Sequence, residues 1–174
     1  MRTRVKICGL TRAEDAAVAI ACGADALGLI FFPSSPRAVD LDQAASLASA
    51  VPALVDLVGV FVDPSEIEVS EVLDRVPLTL LQFHGNETPE QCETYGLPYI
   101  KAVRMRDGVD LEALGDQHPN AQAFLLDTYH PGAVGGTGAA FDWTRARIAL
   151  SAPVIVAGGL AAHNVGEALT QSGA

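Results

Sequence analysis

Long apolar runs are missing from this 174-residue sequence. No stretch approaches the ~18 residues of a membrane-spanning helix. The N-terminus, Met-Arg-Thr-Arg-Val-Lys, leads only into a short apolar run ending at Cys8-Gly9, unlike a secretory signal. Basic residues are scarce too: 11 Lys and Arg stand against 21 Asp and Glu, for a net charge of −10. A nucleic-acid partner normally meets a basic face, and no Lys/Arg cluster exists here, which argues equally against an anionic membrane surface. A small anion stays open, because backbone N–H groups hold phosphate without net positive charge. Cysteine is limited to Cys8, Cys22 and Cys92. They are odd in number and form no CxxC pair, which argues against a disulfide framework or a zinc site and for a reducing, cytoplasmic setting. Aromatics make up only 6%, whereas Gly and Ala are plentiful, suiting helices packed closely on a sheet. At this length, with 49% hydrophobic residues, a single domain with a sizeable core is expected over residues 1–174.

What is present is alternation. Short apolar runs at Val5–Cys8, Ala26–Phe31, Leu54–Phe61, Leu78–Phe83, Tyr99–Val103, Ala123–Leu126 and Pro153–Val156 read as parallel strands covered on both faces. Helix starts separate them. Thr11 with Glu14 reads as a capping box. Asp63-Pro64-Ser65-Glu66 reads as an Asp cap with Pro in first position, and Thr88-Pro89-Glu90-Gln91 repeats that logic. Asp40 with Gln43, and Asp142 ahead of Trp143, are similar. Seven strand–helix units imply a parallel sheet, either a barrel or a doubly wound open sheet. Cys22-Gly23-Ala24 closes one helix and opens into a strand, and Ser172-Gly173-Ala174 repeats that stop at the end of the sequence.

Several residues could carry chemistry. Cys8 ends the first strand and shares a face with Lys6 by period-2 alternation. Chemistry in barrels sits at that end of the strands, and a nearby ammonium favours a thiolate, although a buried structural thiol would read the same way. Asp127 closes Phe124-Leu125-Leu126-Asp127 and leads into a loop containing Gly135, Gly136 and Gly138. A carboxylate placed there suits a general acid or a turn cap. That loop has no Gly-Lys-Ser/Thr ending, and no GxGxxG follows the first strand, so neither a nucleotide loop nor a dinucleotide cofactor is expected. Gly158 and Gly159, after the seventh strand, permit close backbone approach to an anion. Gln82 and His84 alternate onto one face at the end of the fourth strand. Arg37, in a stiff loop after the second, offers a fork of donors suited to a carboxylate. Arg104 and Asp63 are weaker candidates, as are Cys22 and Cys92 inside helices.

Taken in order, these pieces resemble one family. Lys6-Ile7-Cys8-Gly9-Leu10-Thr11, Gly23-Ala24-Asp25-Ala26-Leu27-Gly28, Ser35-Pro36-Arg37, Gly59-Val60-Phe61-Val62, Leu81-Gln82-Phe83-His84-Gly85 and Lys101-Ala102-Val103 are similar to phosphoribosylanthranilate isomerases. So are Leu126-Asp127, Gly135-Gly136-Thr137-Gly138, Phe141-Asp142-Trp143 and Ala157-Gly158-Gly159-Leu160. The resemblance implies a TIM-type (β/α)8 barrel and an Amadori rearrangement of N-(5-phosphoribosyl)anthranilate in tryptophan biosynthesis, without cofactor or metal. It implies Cys8 as general base and Asp127 as general acid. It also implies Arg37 on the anthranilate carboxylate, Gln82 and His84 as substrate contacts, and Gly135, Gly136, Gly158 and Gly159 at the phosphate.

The family pattern continues into an eighth strand and a Ser/Gly-rich turn that completes the phosphate site. About seven βα units are legible here, and the expectation is that roughly 25–40 further residues complete a ~250-residue eight-unit fold. Two other readings compete. One is a non-catalytic barrel fragment. The other is a different phosphosugar enzyme, such as indole-glycerol-phosphate synthase, whose Lys/Glu pattern is not found, or a pentose-phosphate epimerase, whose metal-binding histidines four scattered His residues do not supply. Whether the natural protein is a monomer, a dimer or a fusion is left open by the sequence.

Overall fold

The computed structural model describes residues 2–128 and 140–174; Gly135 and Gly136 lie outside the described residues. The chain forms two compact units, Met1–Tyr99 and Ile100–Ala174.

In the first unit the elements alternate as β1 (Lys6–Cys8), α1 (Ala13–Ala21), β2 (Ala26–Ile30), α2 (Leu41–Ser49), β3 (Asp56–Phe61), α3 (Glu66–Arg75), β4 (Leu80–Phe83) and α4 (Pro89–Glu93). The strands are parallel and their order in space follows the chain. A doubly wound sheet reverses its strand order at a switch point, and these four strands never do. β3 shows why the runs are so apolar: every residue after Asp56 is buried. Phe61 is in register with Phe83, and the two belong to a row of rings. Phe31 and Phe61 stack at 5.3 Å, Phe61 and Phe83 lie 6.2 Å apart, and Tyr95 and Tyr99 each stand 6.2 Å from Phe83. Such pairs contribute about 0.5–1.5 kcal/mol each beyond the area they bury. Burial pushes the Tyr99 hydroxyl up to about 12.

Two helix starts fall where expected. Asp40 accepts from the Gln43 N–H at 2.8 Å, and Thr88 with Gln91 forms a capping box with Pro89 in the first turn. Two do not. Thr11 is no cap: α1 starts one residue later, with Arg12 in the cap position and no side-chain bond. The Thr11 carbonyl instead accepts from Gln43 Nε2 at 2.7 Å, a long-range bond that local spacing cannot reveal. Asp63 is no cap either. Ser65 caps α3 in a box with Glu68, because the Asp63 carboxylate is engaged by Asn86.

An ion pair fastens the start of the first unit. Asp25 accepts from both arms of the Arg2 guanidinium and from the Val5 N–H at 2.9 Å. The Arg2 hydrogen bonds, then the Val5 N–H, hold the Asp25 carboxyl down at about 2, from an ordinary 3.8. A depressed carboxyl stabilises the fold above its unfolded value and loses that contribution as pH falls through its folded one. Asp25→Asn is therefore expected to lower the urea midpoint at pH 7. The gap from wild type should shrink as the pH falls from 3.8 towards 2. A gap that is the same at pH 7 and pH 2 would show that the ionised carboxyl contributes nothing.

The second unit holds β5 (Tyr99–Met105), α5 (Leu111–Gln117), β6 (Ala123–Thr128), a 3-10 turn (Trp143–Ala146), β7 (Val154–Val156) and α6 (Val165–Ser172). β5, β6 and β7 are parallel and in chain order. Asp110 caps α5 through the Ala113 N–H at 3.0 Å, a start that the sequence patterns did not single out. Asp142 is a cap as expected, accepting from the Thr144 N–H at 3.0 Å, but the element it opens is one short 3-10 turn rather than an α-helix. α6 stops at Gly173, whose φ of 74° is left-handed. Among the described residues, no helix is long and apolar enough to cross a membrane.

Candidate active site

β1 places Cys8 at its C-terminal end. Gly9 comes next, with φ of 79°, and donates its N–H to the Gly28 carbonyl at 2.9 Å. Cys8 is in register with Gly28 of β2, and the missing side chain there makes the space that Cys8 and Lys6 fill. A Cβ on Gly28 would lie 2.8 Å from Cys8 Sγ and 3.0 Å from Lys6 Nζ. Thiol and ammonium are thus no farther apart than those two distances laid end to end, as their shared face leads one to expect. The Arg37 side chain is packed over Gly9, where a Cβ would sit 2.9 Å from Cδ and Cζ. One arm of its guanidinium donates to the Cys8 carbonyl at 2.9 Å. Its other arm makes no hydrogen bond among the described residues. Arg37 is therefore tethered at the end of β1 while staying exposed, and it presents donors in a planar fork.

At the end of β4, Gln82 and His84 meet: Gln82 Nε2 and His84 Nδ1 are 3.3 Å apart. Gln82 is 2% exposed, and its Oε1 is buried without a hydrogen-bond partner among the described residues. The parallel register puts Gln82 beside Val60 and Val60 beside Ile30. Ile30 is two residues from Gly28, so Gln82 lies on the same sheet face as Gly28 and Cys8.

In the second unit, Asp127 lies one residue before the end of β6 and is 7% exposed. Its register partner on β5 is Arg104. Gly158 and Gly159 come after β7 with φ of 75° and 64°. A Cβ on Gly158 would overlap the Asp127 carboxylate, the Thr128 N–H and the Thr128 hydroxyl. The turn is braced by Asn164, which donates to the Gly159 carbonyl at 2.8 Å and accepts from the Ala161 N–H at 2.7 Å. The expected helix N-terminus does not adjoin the glycines directly, since α6 begins only at Val165. A cavity of about 760 Å³ in this unit is lined by residues including Pro153, Val154 and Ser172. It lies at the N-terminal end of β7, away from Asp127 and Gly158, where barrels place stability rather than chemistry.

Two residues packed near these side chains carry little signal in the sequence. Gly28 stands in the sequence only as part of a motif, although an isolated glycine inside a strand signals close approach of another group. Glu87, 5% exposed, had no signal beyond being an acid next to a helix start.

Comparisons with known proteins fit this arrangement. The family model for N-(5'-phosphoribosyl)anthranilate (PRA) isomerase matches residues 5–174. An N-(5'-phosphoribosyl)anthranilate isomerase from Pseudomonas putida (strain GB-1) is 54% identical over 168 residues, 97% of this chain and 82% of that protein. The crystal structure of phosphoribosyl anthranilate isomerase from Thermus thermophilus matches with a TM-score of 0.85 and 39% identity, over 97% of this chain and 83% of that one. A phosphoribosyl anthranilate isomerase in complex with reduced 1-(o-carboxyphenylamino)-1-deoxyribulose 5-phosphate matches with a TM-score of 0.81 and 32% identity, over 98% and 83%. Family match, identity and a fold shared over nearly the whole chain agree: the chain belongs to the PRA isomerase family, a TIM-type α/β-barrel isomerase of tryptophan biosynthesis.

Proposed function

We propose that Cys8 is the general base and Asp127 the general acid of an Amadori rearrangement of N-(5-phosphoribosyl)anthranilate. Asp127 gives its proton to the ribose ring oxygen as the C1–O bond breaks, and the anilino nitrogen lone pair forms an iminium. The iminium acidifies C2–H, and the Cys8 thiolate removes that proton to leave an enolamine. Protonation at C1 and loss of the C2 hydroxyl proton then give the ketone. The electron sink is made from the substrate itself, so no step calls for pyridoxal or a metal. The observation that carries this reading is the packing of Cys8 Sγ and Lys6 Nζ against Gly28, with Arg37 fixed on the Cys8 carbonyl.

The other roles follow from the donors available. The free arm of Arg37 takes the anthranilate carboxylate. Gln82 and His84 contact the substrate from the end of β4. Gly158 and Gly159, with Gly135 and Gly136, present N–H groups to the phosphate. Three free cysteines, Cys8, Cys22 and Cys92, support a reducing compartment, the cytoplasm. The acidic balance, with no basic cluster in the sequence, supports a small phosphorylated substrate rather than nucleic acid or a membrane.

Adding the protein to freshly made phosphoribosylanthranilate is expected to quench its fluorescence faster than spontaneous hydrolysis does. The rate should grow in proportion to protein concentration. A decay unchanged by protein would sink the reading.

A further inference from the structure

We propose that Glu87 is a positioning residue for substrate binding, its buried carboxylate clamping the loop after β4 to the loop after β3 and thereby fixing His84. The inference rests on the reading of His84 as a substrate contact. Glu87 Oε1 accepts from the Asp63 N–H at 2.8 Å and the Gly85 N–H at 2.9 Å, and Oε2 from the Gly85 N–H at 3.0 Å. Asp63 reciprocates: its Oδ1 accepts from the Asn86 N–H at 2.6 Å. Each loop thus supplies a carboxylate that binds the backbone of the other.

Three features mark the interlock as specific. Asp63 holds φ of 46°, a left-handed conformation that costs a non-glycine residue about 1–3 kcal/mol unless its surroundings enforce it. Gly85 has no room for a side chain, because a Cβ there would overlap the Asp63 carboxylate. An ionised carboxylate is an acceptor only, so it suits a point where several backbone N–H groups converge, and those charge-assisted bonds offset its burial. His84 sits between two anchors. Its own N–H donates to the Phe61 carbonyl at 2.8 Å, and the next residue, Gly85, is held by Glu87. Without the clamp the backbone that aims the imidazole at Gln82 and the substrate loses the two bonds that Glu87 makes to Gly85.

The test compares Glu87→Ala, Glu87→Gln, His84→Ala and the double variant Glu87→Ala/His84→Ala, assayed with phosphoribosylanthranilate well below their melting temperatures. Amide exchange at Asp63 and Gly85 is followed by NMR. Glu87→Ala is expected to raise KM about tenfold or more, the effect of losing charge-assisted bonds, with a much smaller change in kcat. Glu87→Gln should fall between it and wild type, since one amide oxygen still bridges the two N–H groups. The double variant should bind little worse than His84→Ala alone, and exchange at Asp63 and Gly85 should accelerate in Glu87→Ala. A folded Glu87→Ala, or Glu87→Gln if the alanine variant does not fold, with wild-type KM while His84→Ala raises it would overturn the positioning role. An unchanged KM in His84→Ala would overturn the inference through the reading beneath it. The exchange data would then still report whether the clamp exists.

Discussion

Cys8→Ala and Asp127→Asn are each expected to lower kcat by ~10²–10⁴, the range in which a positioned acid or base acts, with KM changed only a few-fold. Both substitutions are small in volume, so the fold has little reason to respond. Asparagine keeps the shape of Asp127 but cannot deliver a proton to the ring oxygen. Alanine at position 8 leaves Lys6 against Gly28 with no sulfur beside it, and the C2 proton loses its proposed base. Steady-state kinetics on the two purified variants decide the matter. A kcat for Cys8→Ala within about twofold of wild type, far outside the range for a lost base, would return Cys8 to the status of a core thiol. Retained kcat in Asp127→Asn would pass the acid role to another group.

The second large effect should come from a residue with no functional group. Gly158→Ala is expected to lower kcat by on the order of 10²-fold, the loss that a displacement of about 1 Å produces in a catalytic group. Two causes act together. The residue holds φ of 75°, which alanine adopts only with strain of about 1–3 kcal/mol. The added methyl would also occupy the place of the Asp127 carboxylate and the Thr128 hydroxyl, so the acid must move. Gly96→Ala separates the causes: its φ is also positive, at 67°, but nothing lies within 4 Å of the added Cβ. Gly96→Ala should therefore lower the melting temperature and leave kcat alone. Combining Gly158→Ala with Asp127→Asn should cost little more than Asp127→Asn by itself, because both act through one carboxylate. Full additivity, or an unaffected kcat in Gly158→Ala, would disconnect Gly158 from the acid.

The alternation of seven apolar runs with helix starts was legible in the sequence, and so was the parallel arrangement, because both depend on periodicities a few residues long. The caps at Asp40 and Thr88 and the left-handed stops at Gly23 and Gly173 are likewise local, each set by residues within one turn. Errors occurred where a distant partner competed with a local one. Thr11 falls outside α1, whose cap position is Arg12, and its carbonyl bonds to Gln43. Asp63 lost its own to Asn86, and Ser65 replaced it. The same holds for the site. Cys8, Arg37, Gln82, His84, Asp127 and Gly158 were named from position at strand ends, but the tertiary structure alone decided what surrounds them. It laid Arg37 over Gly9, gave Gly28 to Cys8 and Lys6, and set Gly158 against Asp127. The physical reason is that a missing Cβ registers in sequence only as conformational freedom. Its other use, as empty volume for a side chain from elsewhere in the chain, exists only once strands and loops distant in sequence are packed side by side.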